Sequence, residues 1–252
     1  MSGHSKWATI KRKKGATDAK RGQAFTRLTR ELAIAAREGG SDPEGNFRLR
    51  LTIERARAQN MPKDNIERAI KRGSGEGKEG ETFDEVYYEG YGPGGVALLV
   101  DCITENRNRT VSELRHLLGR AGGNLADAGS VAWQFRRVAY FSMPTAKYDY
   151  DRIFEIALDS GAEDVTSDGD SIEITAPVEA FKEVADRLQE AGIEPEEAEL
   201  RYVANQEIEL PVDASLQALR TIEMIEDLDD VQDVYSNLRI TDEALAAMES
   251  AA

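Results

Sequence analysis

Apolar residues recur every three or four positions between Lys20 and Arg37, at Phe25, Leu28, Leu32 and Ala35, and Gly39-Gly40 ends the run. That period predicts a helix, because about 3.6 residues per turn bring such positions onto one face. A second helix is expected over Glu44 to Gln59, with Pro43 at its start, Leu49, Ile53 and Ala56 inward, and Arg48, Arg50, Arg55 and Arg57 elsewhere around it. The third is short: Pro62 suits a first helical position, Ile66, Ala69 and Ile70 supply the buried side, and Gly73 stops it. The segment Gly73-Ser-Gly-Glu-Gly-Lys-Glu-Gly-Glu81 has almost nothing apolar and reads as a linker.

Beyond it the period shortens. A strand over Phe83 to Tyr91, a Gly92-Pro-Gly-Gly95 turn and a buried strand over Val96 to Thr104 are expected. Thr110 and Glu113 match a capping box, Val111, Leu114, Leu117, Leu118 and Ala121 form an apolar stripe, and Gly122-Gly123 closes that helix. After a short strand over Val131 to Phe135 the pattern reads strand (Val138 to Met143), helix (Asp151 to Ser160), strand (Glu163 to Thr166), strand (Ser171 to Thr175), helix (Val178 to Ala191), strand (Glu199 to Ala204). That is the βαββαβ order of ferredoxin-like folds. A strand over Glu207 to Leu210, a helix over Asp213 to Ile225 and a strand over Val231 to Ile240 are too few for a domain, so they are expected to complete the earlier sheet.

The predicted class is α+β multidomain: an N-terminal three-helix domain followed by two ferredoxin-like α+β domains, the third inserted into the second. The expected boundaries are 1–75 for the helical domain, with 1–19 a basic tail; 76–135 plus 207–240 for a split middle domain; 136–206 for the insertion; and 241–252 for a C-terminal tail. A length of 252 residues suits two or three domains. No stretch reaches the ~20 apolar residues of a membrane span, and the basic start lacks the apolar core of a secretory signal, so a cytoplasmic protein without membrane contact is expected.

Charge changes the picture most. Positions 1–72 hold 18 of the 32 Lys and Arg but only eight of the 47 Asp and Glu, a local charge of +10 against −25 for the remainder. A cationic head on an anionic body points to a polyanion partner, since each neutralised phosphate releases condensed counterions. The candidate nucleic-acid contacts are Lys6, Trp7, Lys11, Arg12, Lys13, Lys14, Lys20, Arg21, Arg27, Arg48, Arg50, Arg55 and Arg57, with the head's acids taken as too few to pair them. Trp7 suits either stacking on an exposed base or packing onto the helices. Arg107 and Arg109, in Glu105-Asn-Arg-Asn-Arg-Thr110, lie where a helix start would attract an anion, although an ordinary loop accounts for that segment equally well.

Other motifs carry less chemistry. The loop Glu89-Gly-Tyr-Gly-Pro-Gly-Gly95 lacks a Gly-Lys-Ser/Thr ending and joins two strands, which favours a hairpin turn over a phosphate cradle. Cys102 sits in an apolar run and reads as a buried, inert thiol. His4 and His116 offer no metal spacing, and Glu226-Asp-Leu-Asp-Asp230 does not match the spaced calcium loop, so a solvated face is favoured there. Neither catalytic residues nor a metal, cofactor or small-molecule substrate is expected.

Six further motifs bear a resemblance: Gly3-His-Ser-Lys-Trp7, Asp18-Ala-Lys-Arg-Gly22, Glu89-Gly-Tyr-Gly-Pro-Gly-Gly95, Asn106-Arg-Asn-Arg-Thr110, Gly122-Gly-Asn-Leu125 with Gly129-Ser-Val131, and Asp229-Asp-Val-Gln-Asp-Val-Tyr235. In this order the chain resembles the YebC family, which includes bacterial proteins labelled transcriptional regulators and mitochondrial translational activators of cytochrome c oxidase. The resemblance implies a three-domain, non-enzymatic protein acting on gene expression, whether by binding DNA or by helping ribosomes through difficult sequences such as proline runs. The absence of a clear helix-turn-helix argues against operator reading. Ribosome and rRNA are therefore the favoured partners, duplex DNA is the alternative, and a monomer is favoured.

Overall fold

The computed structural model describes residues 18–75, 83–167 and 169–250. These fall into two compact units, one of residues 18–131 with 217–234 and one of 132–216 with 235–250. Of the expected tail over 1–19, residues 1–17, including His4, Lys6, Trp7 and Lys11 to Lys14, lie outside the described residues, while Asp18 and Ala19 belong to the first helix.

In the first unit, α1 (Asp18–Gly39), α2 (Phe47–Ala58) and α3 (Lys63–Gly73) enclose a core of Leu28, Leu32, Leu49, Ile53, Met61 and Ile66. Helix α2 begins at Phe47 and not at the expected Glu44, because Asn46 is the cap. Its side chain accepts from the Leu49 N–H at 3.1 Å while its amide donates to Ala35 and Gly40 carbonyls at 2.7 and 2.8 Å. Helix α3 lies close against α1: a Cβ at Gly73 would stand 2.1 Å from the Ala33 carbonyl oxygen, so only glycine fits there.

The same unit holds a sheet of order β3-β1-β2-β8, formed by β1 (Asp84–Tyr91), β2 (Ala97–Thr104), β3 (Asn124–Leu125) and β8 (Val231–Ser236). β1 and β2 are antiparallel in register from Asp84↔Thr104 to Tyr91↔Ala97. The Gly92–Gly95 segment between them is a hairpin turn, with Gly94 at φ 72°. Every β2 residue is buried, because both faces of the sheet are covered. Alternation sends Cys102 and Thr104 toward α4 (Arg107–Ala121), whose Thr110 hydroxyl lies 2.9 Å from that of Thr104. Ile103 points the other way, into a cluster with Ala33, Ile34 and Phe83 that seats α1 on the sheet. Helix α4 is capped by Asn106, which accepts from the Arg109 N–H at 3.1 Å, and not by the expected Thr110–Glu113 box, because the helix starts a turn earlier.

The second unit contains β4 (Phe135–Pro144), α5 (Tyr150–Asp159), β5 (Asp164–Ser167), β6 (Ser171–Ala176), α6 (Phe181–Glu190) and β7 (Glu197–Ala204). Its antiparallel sheet has the order β5-β6-β4-β7, the ferredoxin-like arrangement. These elements interrupt the first sheet in the chain, between β3 and α7 (Val212–Glu226), so one sheet-plus-helix module is inserted into another.

Three local expectations change. Residues 131–134 are not a strand: a single 3-10 turn over Ala132–Gln134 leads straight into β4 at Phe135, because the Gly129 and Val131 N–H groups are taken by the Glu89 carboxylate at 2.7 and 2.5 Å. The strand expected over 207–210 is one parallel bridge, Ile208 with Leu238; Pro211 has no N–H with which to extend it. Finally, the C-terminal tail holds a helix, α8 (Asp242–Ser250), with Ala244, Leu245 and Met248 buried.

Candidate nucleic-acid interface

The arginines of the cationic head divide into those that anchor the fold and those that face outward. Gln23, Arg27 and Arg30 lie at helical spacing on one face of α1 and reach the end of α7 together. Gln23 donates to the Asp227 carbonyl at 2.7 Å, Arg27 to that of Glu226, and Arg30 to that of Asp229 at 2.5 Å. A helix C-terminus leaves its last carbonyls without intrahelical partners and carries partial negative charge, so it suits these donors. The stretch Glu226 to Asp230, expected as a solvated face, is thus the seat of α1, although Asp227 and Asp229 keep their side chains exposed.

Asp230 is the centre of this joint and is 1% exposed. Arg109 grips both its oxygens at 2.8 and 2.7 Å, the Thr104 and Thr110 hydroxyls donate to Oδ2 at 2.9 and 2.8 Å, and Arg30 lies 3.3 Å from Oδ1. Burial pushes the carboxyl's pKa up, but the hydrogen bonds from Arg109, Thr110 and Thr104 and the Arg109 charge outweigh it, leaving a net lowering. The position at the start of α4 where an external anion was considered is therefore filled by the chain's own carboxylate. Arg107 also has a partner, Asp84 at 2.9 Å, in a half-exposed pair.

Helix α2 repeats the theme. Arg48 bridges Glu38 at 2.8 Å and Glu85 at 2.6 and 2.9 Å, and Arg55 pairs with Glu31. The expectation that the head lacks acids to pair its arginines is corrected here: Glu31 and Glu38 come from α1, and Glu85 comes from β1 beyond the linker. Arg50 stacks over the Phe47 ring at 5.4 Å, while Arg57 is exposed and makes no ion pair among the described residues. Arg68 and Lys71 on α3 are exposed, as is Lys63, which holds a loose 3.5 Å pair with Glu67. Lys20 and Arg21 belong to the first turns of α1, but their side chains lie outside the described residues, like Lys6, Trp7, Lys11, Arg12, Lys13 and Lys14.

His116, expected to be structural or solvent-facing, is exposed on α4, as are Arg115 and Arg120 of the same helix, which the sequence did not single out as candidate contacts. Their signal was three cationic or titratable side chains within six positions and one nearby acid, Glu113. Also unforeseen was Asp101, 8% exposed on the β2 face that meets α1, with a buried Oδ1 that accepts no hydrogen bond. Burial, with the charges of Asp233, Glu85 and Glu31 and against that of Arg48, pushes its pKa up to about 8. Cys102 is fully buried as expected, and burial followed by the charges of Asp101 and Asp230 pushes its thiol well above the ordinary range.

Among the described residues no group of three or more His, Cys, Asp and Glu side chains could hold a metal ion, and no helix is long and apolar enough to cross a membrane. The charged side chains join elements of a multidomain α+β scaffold.

Comparison with known proteins agrees with that architecture. The family model "TACO1/YebC protein N-terminal domain" matches residues 5–76, and "TACO1/YebC second and third domain" matches residues 83–238. The chain belongs to the TACO1/YebC family. It is 51% identical over 251 residues to a "probable transcriptional regulatory protein" of Acidithiobacillus ferrooxidans, and 48% identical over 250 residues to one of Chlorobaculum tepidum, each alignment covering 99% of both chains. A crystal structure of a conserved hypothetical protein from Aquifex aeolicus superposes with a TM-score of 0.83 at 41% identity, covering 90% of this chain and 94% of that one.

Proposed function

We propose that the protein is a non-enzymatic, cytoplasmic regulator of gene expression that binds nucleic acid through its N-terminal cations, with ribosome and rRNA as its partner. In this reading the chain works as three domains: 1–75 for binding, 76–135 with 207–240 as a scaffold, and 136–206 as an inserted module. The observation that carries it is the +10 charge of positions 1–72 against −25 for the rest. Such a dipole orients the head toward a polyanion and keeps the body away from it.

Arg27, Arg48, Arg55, Arg107 and Arg109 have partners within the fold, which supports a reading in which phosphate binding rests on Lys6, Lys11, Arg12, Lys13, Lys14, Lys20 and Arg21, aided by Arg50 and Arg57, with Trp7 to stack. Changing Lys11, Arg12, Lys13 and Lys14 together to Glu is expected to abolish co-sedimentation with ribosomes. Neutralising any one phosphate-binding cation should flatten the salt dependence by about one unit of log–log slope. Unchanged co-sedimentation would remove this role from the cluster.

The second reading, a DNA-binding transcriptional regulator, is favoured by the name "probable transcriptional regulatory protein" that the relatives from Acidithiobacillus ferrooxidans and Chlorobaculum tepidum carry. It requires one promoter to be bound far more tightly than shuffled sequence at physiological salt, typically by about 10³-fold or more. A ratio near one counts against it.

A further inference from the structure

Helix α5 of the inserted module buries Ile153 and Ala157, yet carries a second apolar row that the fold leaves in solvent. Tyr150 is 36% exposed, Phe154 41% and Leu158 62%. They stand at i, i+4 and i+8, so they form one line along the helix, about 12 Å long at roughly 1.5 Å per residue. The row is held in place: the Tyr150 hydroxyl donates to the Val165 carbonyl on edge strand β5 at 3.0 Å, and the Tyr150 and Phe154 rings lie 6.0 Å apart.

Beside it runs a second line at the same pitch. Asp151, Glu155 and Asp159 are each one position further along, about 100° round the helix, and all three are exposed and without an ion pair among the described residues. Two parallel rows, one apolar and one anionic, define what can cover this face. Nucleic acid and anionic lipid surfaces are repelled by the carboxylates. A helix with an apolar row flanked by lysines or arginines satisfies both lines at once, with the apolar side chains burying the exposed rings and the cations meeting the acids.

We propose that α5 is a docking site for a basic amphipathic helix of a protein partner. Tyr150, Phe154 and Leu158 supply the apolar area, and Asp151, Glu155 and Asp159 set the charge preference and the register. This site lies in the inserted module, far along the chain from the cationic head, and its test is independent of nucleic-acid binding.

The test uses the full-length protein and two designed helical peptides that share an apolar leucine row and differ only in flanking lysine or glutamate. A third peptide, with the composition of the lysine helix but a scrambled order, controls for bulk charge. Wild type is expected to bind the lysine helix roughly tenfold or more tightly than the scrambled peptide, and Phe154→Ser with Leu158→Ser is expected to erase that difference. Reversing Asp151, Glu155 and Asp159 to Lys should transfer the preference to the glutamate helix, a gain that a misfolded variant cannot show. Equal binding of the ordered and scrambled lysine peptides would overturn the proposal. So would sedimentation showing that the row is already covered in a dimer that Leu158→Ser splits.

Discussion

Replacing Asp101 with Asn is expected to stabilise the protein, and increasingly so as pH rises. Asp101 is almost wholly buried on the face of β2 that receives α1; Asp233 on β8, Glu85 on β1 and Glu31 on α1 disfavour its charge, and only Arg48 on α2 favours it. Arg48 is itself committed to Glu85 and Glu38. With a pKa of about 8 in the fold and an ordinary value of 3.8 when unfolded, the native state holds a proton that the unfolded chain has released between those limits. Native protein then binds more protons than unfolded, so stability falls as pH rises through this window, and the loss is complete above about 8. At about 1.36 kcal/mol per pH unit, a window of about four units corresponds to a loss of roughly 6 kcal/mol by pH 8. Asn cannot ionise and avoids it. Urea unfolding should find the variant's advantage over wild type larger near pH 8.5 than near pH 5 by about 4 kcal/mol, since the folded Asp101 keeps its proton over most of that interval while the unfolded chain is ionised throughout. An offset that is the same at both values, or larger in acid, would refute the assignment of a protonated Asp101.

Removing the other buried aspartate should have the opposite effect. Asp230→Ala leaves Arg30, Arg109 and two threonine hydroxyls facing an empty position, and a cost of about 3–5 kcal/mol is expected in urea unfolding at neutral pH. Because its pKa is lowered in the fold, the contribution of Asp230 is present above the ordinary carboxylate pKa and is lost as pH falls through its native value, so wild type and variant should converge in acid. By contrast, Arg107→Ala, which breaks a half-exposed pair with Asp84, should cost no more than about 1 kcal/mol in the same assay. Gly73→Ala should lower the melting temperature by several degrees, since its Cβ would overlap backbone of α1 that has no room to yield; an unchanged melting curve would mean that α3 shifts freely.

The inserted module was legible because helices α5 and α6 each carry one buried side and strands β4 to β7 are short runs rich in β-branched and aromatic residues, so nothing distant is needed to define them. Helix ends were less so. Thr110 looked like a cap because Glu113 follows it by three, but Asn106 offered the same chemistry one turn earlier, and Thr110 is used to hold Asp230. Helix α8 was missed because its nine residues are short and rich in alanine, although Thr241 ahead of Asp242 and Glu243 was a start signal. The larger gap concerns the candidate site. Composition counts charges, whereas pairing depends on which charges meet. Arg109 and Asp230 are 121 positions apart, and Arg48 and Glu85 lie on opposite sides of the linker. The motifs that carried the family resemblance explain themselves once folded: Asn106 to Thr110 meets Asp229 to Tyr235 at the Asp230 joint, and Glu89 ties Gly129 and Val131.

Splitting one module with another also dictates an order of assembly during synthesis. Strands β4 to β7 emerge as a continuous stretch and can close their sheet unaided, whereas the portion made before them waits for β8 and Asp230. Until the ribosome has passed position 230, Arg30, Arg109, Thr104 and Thr110 hold no counterpart, and a nascent chain released early exposes one raw sheet border.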